Sequence, residues 1–178
     1  MSDKKALLVI DLQNDYLWDK RKTMFSYDTE TLVGNVNGLI NHCVEKDYDI
    51  IYIKHILPNN PIMRKLVGFS IEGTEGTEIY EGVNIVSDLC FEKNLPNSYT
   101  SKDFSKHMKE QGYKRILICG LDECGCVGAT AKAAVKTGAQ VIMIGNCIGR
   151  RFADHKVRKM RKSLISMGVK YKNMKAED

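Results

Sequence analysis

No apolar run in this sequence approaches the roughly 20 residues that a membrane-spanning helix needs. The first apolar stretch, Ala6–Ile10, is cut off by Asp11. That stretch is also too short for the core of a secretory leader, so a cytoplasmic protein without a membrane partner is expected. Proline is scarce, at 3 in 178 residues, and there is no repeat or low-complexity stretch, which excludes collagen-like and disordered classes. There are only 4 His, and neither a second Cys pair nor a nearby His pair accompanies Cys124-Gly-Cys126, so no zinc knuckle is expected. A P-loop, a GxGxxG turn and a Ser-His-Asp arrangement are also missing. The 6 cysteines do not read as a disulfide framework in a chain of this length. Cys43, Cys90, Cys119 and Cys147 lie among apolar neighbours and are read as small buried hydrophobes.

What is present is an ordinary globular composition, 43% hydrophobic and 28% charged. Residues 1–178 make one domain's worth of chain, long enough to bury a sizeable core. The net charge of +5 is not evenly spread. Arg150, Arg151, Lys156, Arg158, Lys159, Arg161 and Lys162 crowd one segment against a single acid, Asp154, and the rest is close to neutral. Ala153, Val157, Met160 and Leu164 repeat at helical spacing there, so the basic residues are expected on the opposite, wet face. No nucleic-acid partner is inferred.

Solid apolar runs at 6–11, 49–55, 83–86 with 89–91, 115–120, 140–147 and 169–171 read as strands. Helical periodicity appears at 31–46, 103–112, 127–138 and 152–167. Residues 56–80 lack clear periodicity and read as a long loop or small excursion, of a length that is usually functional. Apolar strands alternating with helices predict an α/β fold, a doubly wound parallel sheet with helices on both faces. In such folds ligands bind beyond the carboxyl ends of the strands, where the strand order reverses.

Three residues fall at such ends. Alone, Asp11 is a turn-capping acid, Lys93 a solvated lysine, and Cys126 a small residue allowing tight packing. Together they can make a reaction centre. A thiol attacks as thiolate, and a helix N-terminus or a nearby cation favours that form. Asp11 can take the thiol proton and give it to a leaving amine. Backbone N–H groups of the 120–126 turn can hold an oxyanion.

The segment Leu8-Val-Ile-Asp11-Leu-Gln13-Asn14-Asp15-Tyr16 resembles the opening motif of the isochorismatase-like cysteine hydrolases, among them nicotinamidases, N-carbamoylsarcosine amidase and ureidoacrylate-type amidases. Lys93 with Tyr99 resembles the second motif. Gly120-Leu-Asp122-Glu123-Cys124-Gly125-Cys126-Val127-Gly-Ala-Thr130-Ala131 resembles the third, and Gly73–Ile79 resembles the loop before the third strand. The resemblance implies a triad of Asp11, Lys93 and Cys126. It implies a non-proline cis bond between Leu121 and Asp122, with the Asp122 and Cys126 amides as the oxyanion hole. It implies a sheet of order 3-2-1-4-5-6, a small-molecule substrate, no cofactor, and a homo-oligomer (dimer or tetramer).

Two departures sharpen this. Isochorismatases proper lack the cysteine, so its presence favours C–N cleavage. Nicotinamidases carry a metal site of an Asp and several His after the second strand. Here Lys54-His55-Ile56-Leu57-Pro58-Asn59-Asn60 offers one imidazole and no Asp, so no metal is expected. His55 and His155 are read as structural, and Cys124 as non-catalytic. Glu123 stands where many relatives have Thr. Tyr16, Trp18 and Tyr99 are candidates for substrate contact, packing being the competing role for each. The rival functional reading is a binding module on the same fold that performs no chemistry.

Overall fold

The computed structural model describes residues 3–174. Its elements are β1 (Lys5–Ile10), α1 (Asn14–Leu17), α2 (Thr29–Glu45), β2 (Asp49–His55), α3 (Pro61–Leu66), β3 (Cys90–Lys93), α4 (Lys102–Gln111), β4 (Arg115–Gly120), α5 (Cys126–Ala134), β5 (Gln140–Ile148), α6 (Asp154–Ser166) and β6 (Lys170–Lys172). The six strands form one parallel sheet in the order β3-β2-β1-β4-β5-β6.

The period-2 alternation of the strands divides the core into two layers. Leu7 and Val9 of β1 face α2, packing with Val36, Leu39 and Ile40. Ala6, Leu8 and Ile10 face the other way, packing with Phe104 of α4, Val127 and Ala131 of α5 and Leu164 of α6. Burial on both faces explains why these strands are apolar throughout. Asp28 caps α2 by accepting a hydrogen bond from the Thr31 amide at 3.2 Å.

The order reverses between β1 and β4, and there the backbones approach closely. Ile10 pairs with Gly120. A Cβ on Gly120 would sit 2.0 Å from the Ile10 carbonyl oxygen, and its φ is +111°, so only glycine fits. Asp11 leaves β1 with φ +55°, a left-handed conformation that Asp tolerates better than most residues. Its amide still donates to Ile53 O, at 2.8 Å.

Several expectations need correction. Val83–Val86 is not a strand. Ile85 and Val86 are exposed. The Tyr52 hydroxyl donates to Asn84 O and accepts from the Val86 amide, replacing ladder bonds. Of the two readings of 56–80, the small excursion is the one found: it holds α3, capped by Asn60, and a 3₁₀ turn at Glu75–Thr77. Cys43, Cys119 and Cys147 are buried as expected, but Cys90 is exposed, because β3 lies at the sheet edge. On α6, Val157 and Leu164 face the core whereas Ala153, the N-cap, is exposed.

Candidate active site

β1, β2 and β3 end side by side, and their last residues meet. Lys93 stands opposite His55 in the β2–β3 register, two strand spacings from β1, or about 10 Å. Only a long side chain spans that gap. The Lys93 ammonium reaches Asp11 Oδ2 at 2.8 Å and His55 Nδ1 at 3.2 Å. Asp11 and Lys93 are each 3% exposed, so the ion pair lies out of water. Among the described residues, Asp11 Oδ1 is buried with no hydrogen-bond partner. Cys126 opens α5 beside this pair, and single donor atoms of Asp11, His55 and Cys126 all lie within 4.8 Å of one another.

Charges follow from this packing. Burial disfavours the Lys93 ammonium, but Asp11 and Cys126 outweigh it and hold Lys93 above its ordinary value. Burial and the Asp11 carboxylate push the Cys126 thiol up to about 12, against the pull of Lys93. The resting site therefore holds an ammonium, a carboxylate and a neutral thiol. Burial, then Lys93, hold the His55 imidazole below its ordinary range. A neutral His55 accepts from Lys93 through Nδ1 and carries its proton on Nε2.

The turn between β4 and α5 is tied down from beneath. The Leu121–Asp122 bond is cis. The Asp122 carboxylate accepts from Tyr27 Oη at 3.1 Å, from the Arg151 amide at 2.9 Å and from the Cys124 amide at 3.0 Å. The Glu123 amide donates to Gly149 O at 3.0 Å. The amides of Gly125 and Val127 both go to Asp122 O. Among the described residues, the amides of Asp122 and Cys126 alone within this turn have no acceptor.

The polar residues of the first motif stitch the long loop to the sheet. Gln13, fully buried, accepts from the His55 amide at 2.7 Å and donates to Thr77 O at 2.9 Å. Asp15 accepts from the Ser70 amide at 2.6 Å. Thr130 accepts from the Ser98 amide at 3.0 Å, linking α5 to the chain that follows Lys93.

The three aromatics divide. Tyr16 is 7% exposed; its hydroxyl lies 2.5 Å from Ser70 Oγ, and burial together with Asp11 raises its ionisation far above the ordinary value. Trp18 lines a cleft of about 630 Å³ with Arg64, Phe69 and Glu75, and its Nε1 is buried without a partner among the described residues. Neither Asp11 nor Cys126 lines that cleft. Tyr99 is not brought to the Asp11–Lys93 pair: its ring stacks edge-on against Phe104, 5.0 Å between centroids, in the layer under α4 and α5.

A metal does not fit this site. The set close enough to hold one is Asp11, His55 and Cys126 among the described residues, and Lys93 already bonds to two of them. The Lys93 ammonium is the resident cation of the site.

Sequence reasoning missed two things. His55, read as structural, touches Lys93; the signal was its place at the end of a strand adjacent to that of Lys93. The expectation that the basic residues of 150–162 face water holds for Arg150, Lys156, Arg158, Lys159 and Lys162, which are exposed, and fails for Arg161. Arg161 turns inward to the fully buried Glu123, with Nε at 2.5 Å and Nη2 at 2.9 Å from its two oxygens.

Comparison with known proteins agrees with the fold and the motifs. An isochorismatase domain model matches residues 5–170. An uncharacterized isochorismatase family protein, YddQ, of Bacillus subtilis is 31% identical over 134 residues, covering 75% of this chain and 71% of that protein. A protein of Arabidopsis thaliana named as a probable inactive nicotinamidase is 24% identical over 142 residues, 73% of this chain and 72% of that one. The pyrazinamidase of Pyrococcus horikoshii, solved in complex with zinc, superposes with a TM-score of 0.82 at 23% identity, covering 96% of this chain and 99% of that one. On the family model and the Bacillus relative together, this chain belongs to the isochorismatase family and has a hydrolase fold with amidases among its structural neighbours.

Proposed function

We propose that this chain is a cysteine amidohydrolase acting on a small amide or ureido compound. The observation that carries the reading is the unpartnered Oδ1 of Asp11, beside Cys126, on a carboxylate whose other oxygen is held by Lys93. A carboxylate fixed on one side and open on the other is suited to shuttle a proton. Cys126 Sγ attacks the substrate carbonyl carbon while its proton passes to Asp11 Oδ1. The oxygen gains negative charge opposite the free amides of Asp122 and Cys126. The C–N bond breaks as Asp11 gives its proton to the departing nitrogen, leaving a thioester on Cys126. Water then attacks the thioester carbon and gives a proton to Asp11. The C–S bond breaks, and that proton returns to sulfur as the acid product leaves.

A neutral resting thiol agrees with this order, since deprotonation accompanies attack. Lys93 holds and aims the Asp11 carboxylate through Oδ2. The test is a screen of small amides, ureas and carbamoyl compounds for ammonia release, repeated with Cys126→Ala. Release that disappears in Cys126→Ala supports the reading. Full turnover by Cys126→Ala refutes the mechanism, and silence across the whole screen favours the rival binding module.

A further inference from the structure

The basic segment has a role that its surface position hides. Glu123 lies three residues before Cys126 and is fully buried. Its three handles are all engaged. Its amide donates to Gly149 O, beyond the end of β5. Its carbonyl faces Gly128, where a Cβ would come within 2.5 Å. Its carboxylate takes the two-pronged grip of Arg161 from α6, and Arg150 Nε stands 4.0 Å away. The Arg161 guanidinium in turn lies over the Tyr171 ring, 5.2 Å from its centroid. A planar fork on a carboxylate fixes direction as well as distance, which a lysine does not do.

We propose that the Glu123–Arg161 pair is a positioning device for the Cys126 nucleophile. It ties the turn that carries Cys126 to α6, and so sets the angle at which Sγ meets Asp11 Oδ1. The basic segment thus serves the reaction from behind. This rests on the proposed amidohydrolase reading. Neither residue touches substrate. A purely structural pair would change stability alone, whereas a positioning pair changes the reactivity of Cys126 at unchanged stability.

The experiment uses iodoacetamide as the probe. Labelling of each cysteine is followed by peptide mass spectrometry, and the Cys126 rate is divided by that of exposed Cys90 in the same molecule. Thermal melting is recorded in parallel. Two variants are compared. Arg161→Lys keeps the charge and loses the fork. Glu123→Gln with Arg161→Met removes both charges of the pair and leaves no buried charge unpaired, Arg150 being half exposed. The Cys126:Cys90 ratio is expected to fall at least about tenfold in both, since small misplacements of reacting groups cost up to ~100-fold. Melting temperatures are expected to stay within a few degrees of wild type. Should the double variant fail to fold, Arg161→Lys carries the test. A wild-type ratio in a folded variant overturns the positioning role. Ammonia release that survives Cys126→Ala instead overturns the amidohydrolase reading, so the two failures are distinct.

Discussion

Asp11→Asn separates two jobs of one carboxylate: in the proposed mechanism Asp11 accepts the thiol proton, and in the resting site its charge suppresses the thiolate. In the wild type, burial and the Asp11 charge hold the Cys126 thiol up at about 12, and Lys93 works against them. Removing the Asp11 charge leaves Lys93 unopposed, so the thiol must ionise at lower pH than before. The new partner for the ammonium is then the thiolate itself. Turnover moves the other way. Loss of a positioned acid–base group costs about 10²–10⁴ in rate, or about 3–5.5 kcal/mol of barrier at ~1.4 kcal/mol per tenfold. Stability also falls, since stranding one partner of a buried ion pair costs about 3–5 kcal/mol, part of which the His55 contact and thiolate formation offset. The assay is a thiolate absorbance titration of Asp11→Asn against Asp11→Asn/Cys126→Ser, alongside ammonia release. The expected outcome is a thiolate that appears well below pH 12 in a protein with almost no turnover. An unmoved titration, or turnover within a few-fold of wild type, refutes the reasoning.

The remaining predictions follow from the same geometry. Lys93→Met should have the opposite effect on the thiol, raising its ionisation further and slowing alkylation, while also abolishing turnover. Its melting point should drop because Asp11 is left buried and unpaired, at a cost of about 3–5 kcal/mol. His55 is held neutral by burial and by Lys93, so its contribution to stability is present above about pH 6.5 and is lost as pH falls through its lowered value. Denaturant unfolding of the wild type should therefore weaken on acidification more steeply than that of His55→Gln, and parallel curves would contradict this. Gly120→Ala should be insoluble or destabilised by more than about 4 kcal/mol, because the added carbon meets Ile10 O at 2.0 Å. Soluble Gly120→Ala with wild-type melting would disprove the close approach.

The sheet was legible because burial on both faces leaves only apolar residues in a strand, as in Arg115–Gly120. Val83–Val86 misled for the converse reason: its β-branched residues are exposed and its backbone is satisfied by Tyr52 rather than by a neighbouring strand. The Asp11–Lys93 pairing could be expected from strand ends alone. The role of Gln13 could not, since one amide bonding to His55 and Thr77 needs the loop in three dimensions. Arg161 was hidden because helical periodicity assigns a side chain to a face, whereas a long guanidinium can reach back around the helix to a buried acid.

The pairing of Ile10 with Gly120 has a consequence for how the chain is made. β1 is central in the sheet, yet its β4 neighbour is synthesised more than a hundred residues later. At about 5–20 residues per second, Ala6–Ile10 waits roughly 5–20 s on the ribosome before that partner exists. Through that interval an apolar strand has at least one open edge, a ready template for wrong pairing. Yield of soluble protein should therefore respond to translation speed, temperature and holding chaperones more than to the stability of the finished fold. Fragments that stop before residue 115 should aggregate however good their own helices are.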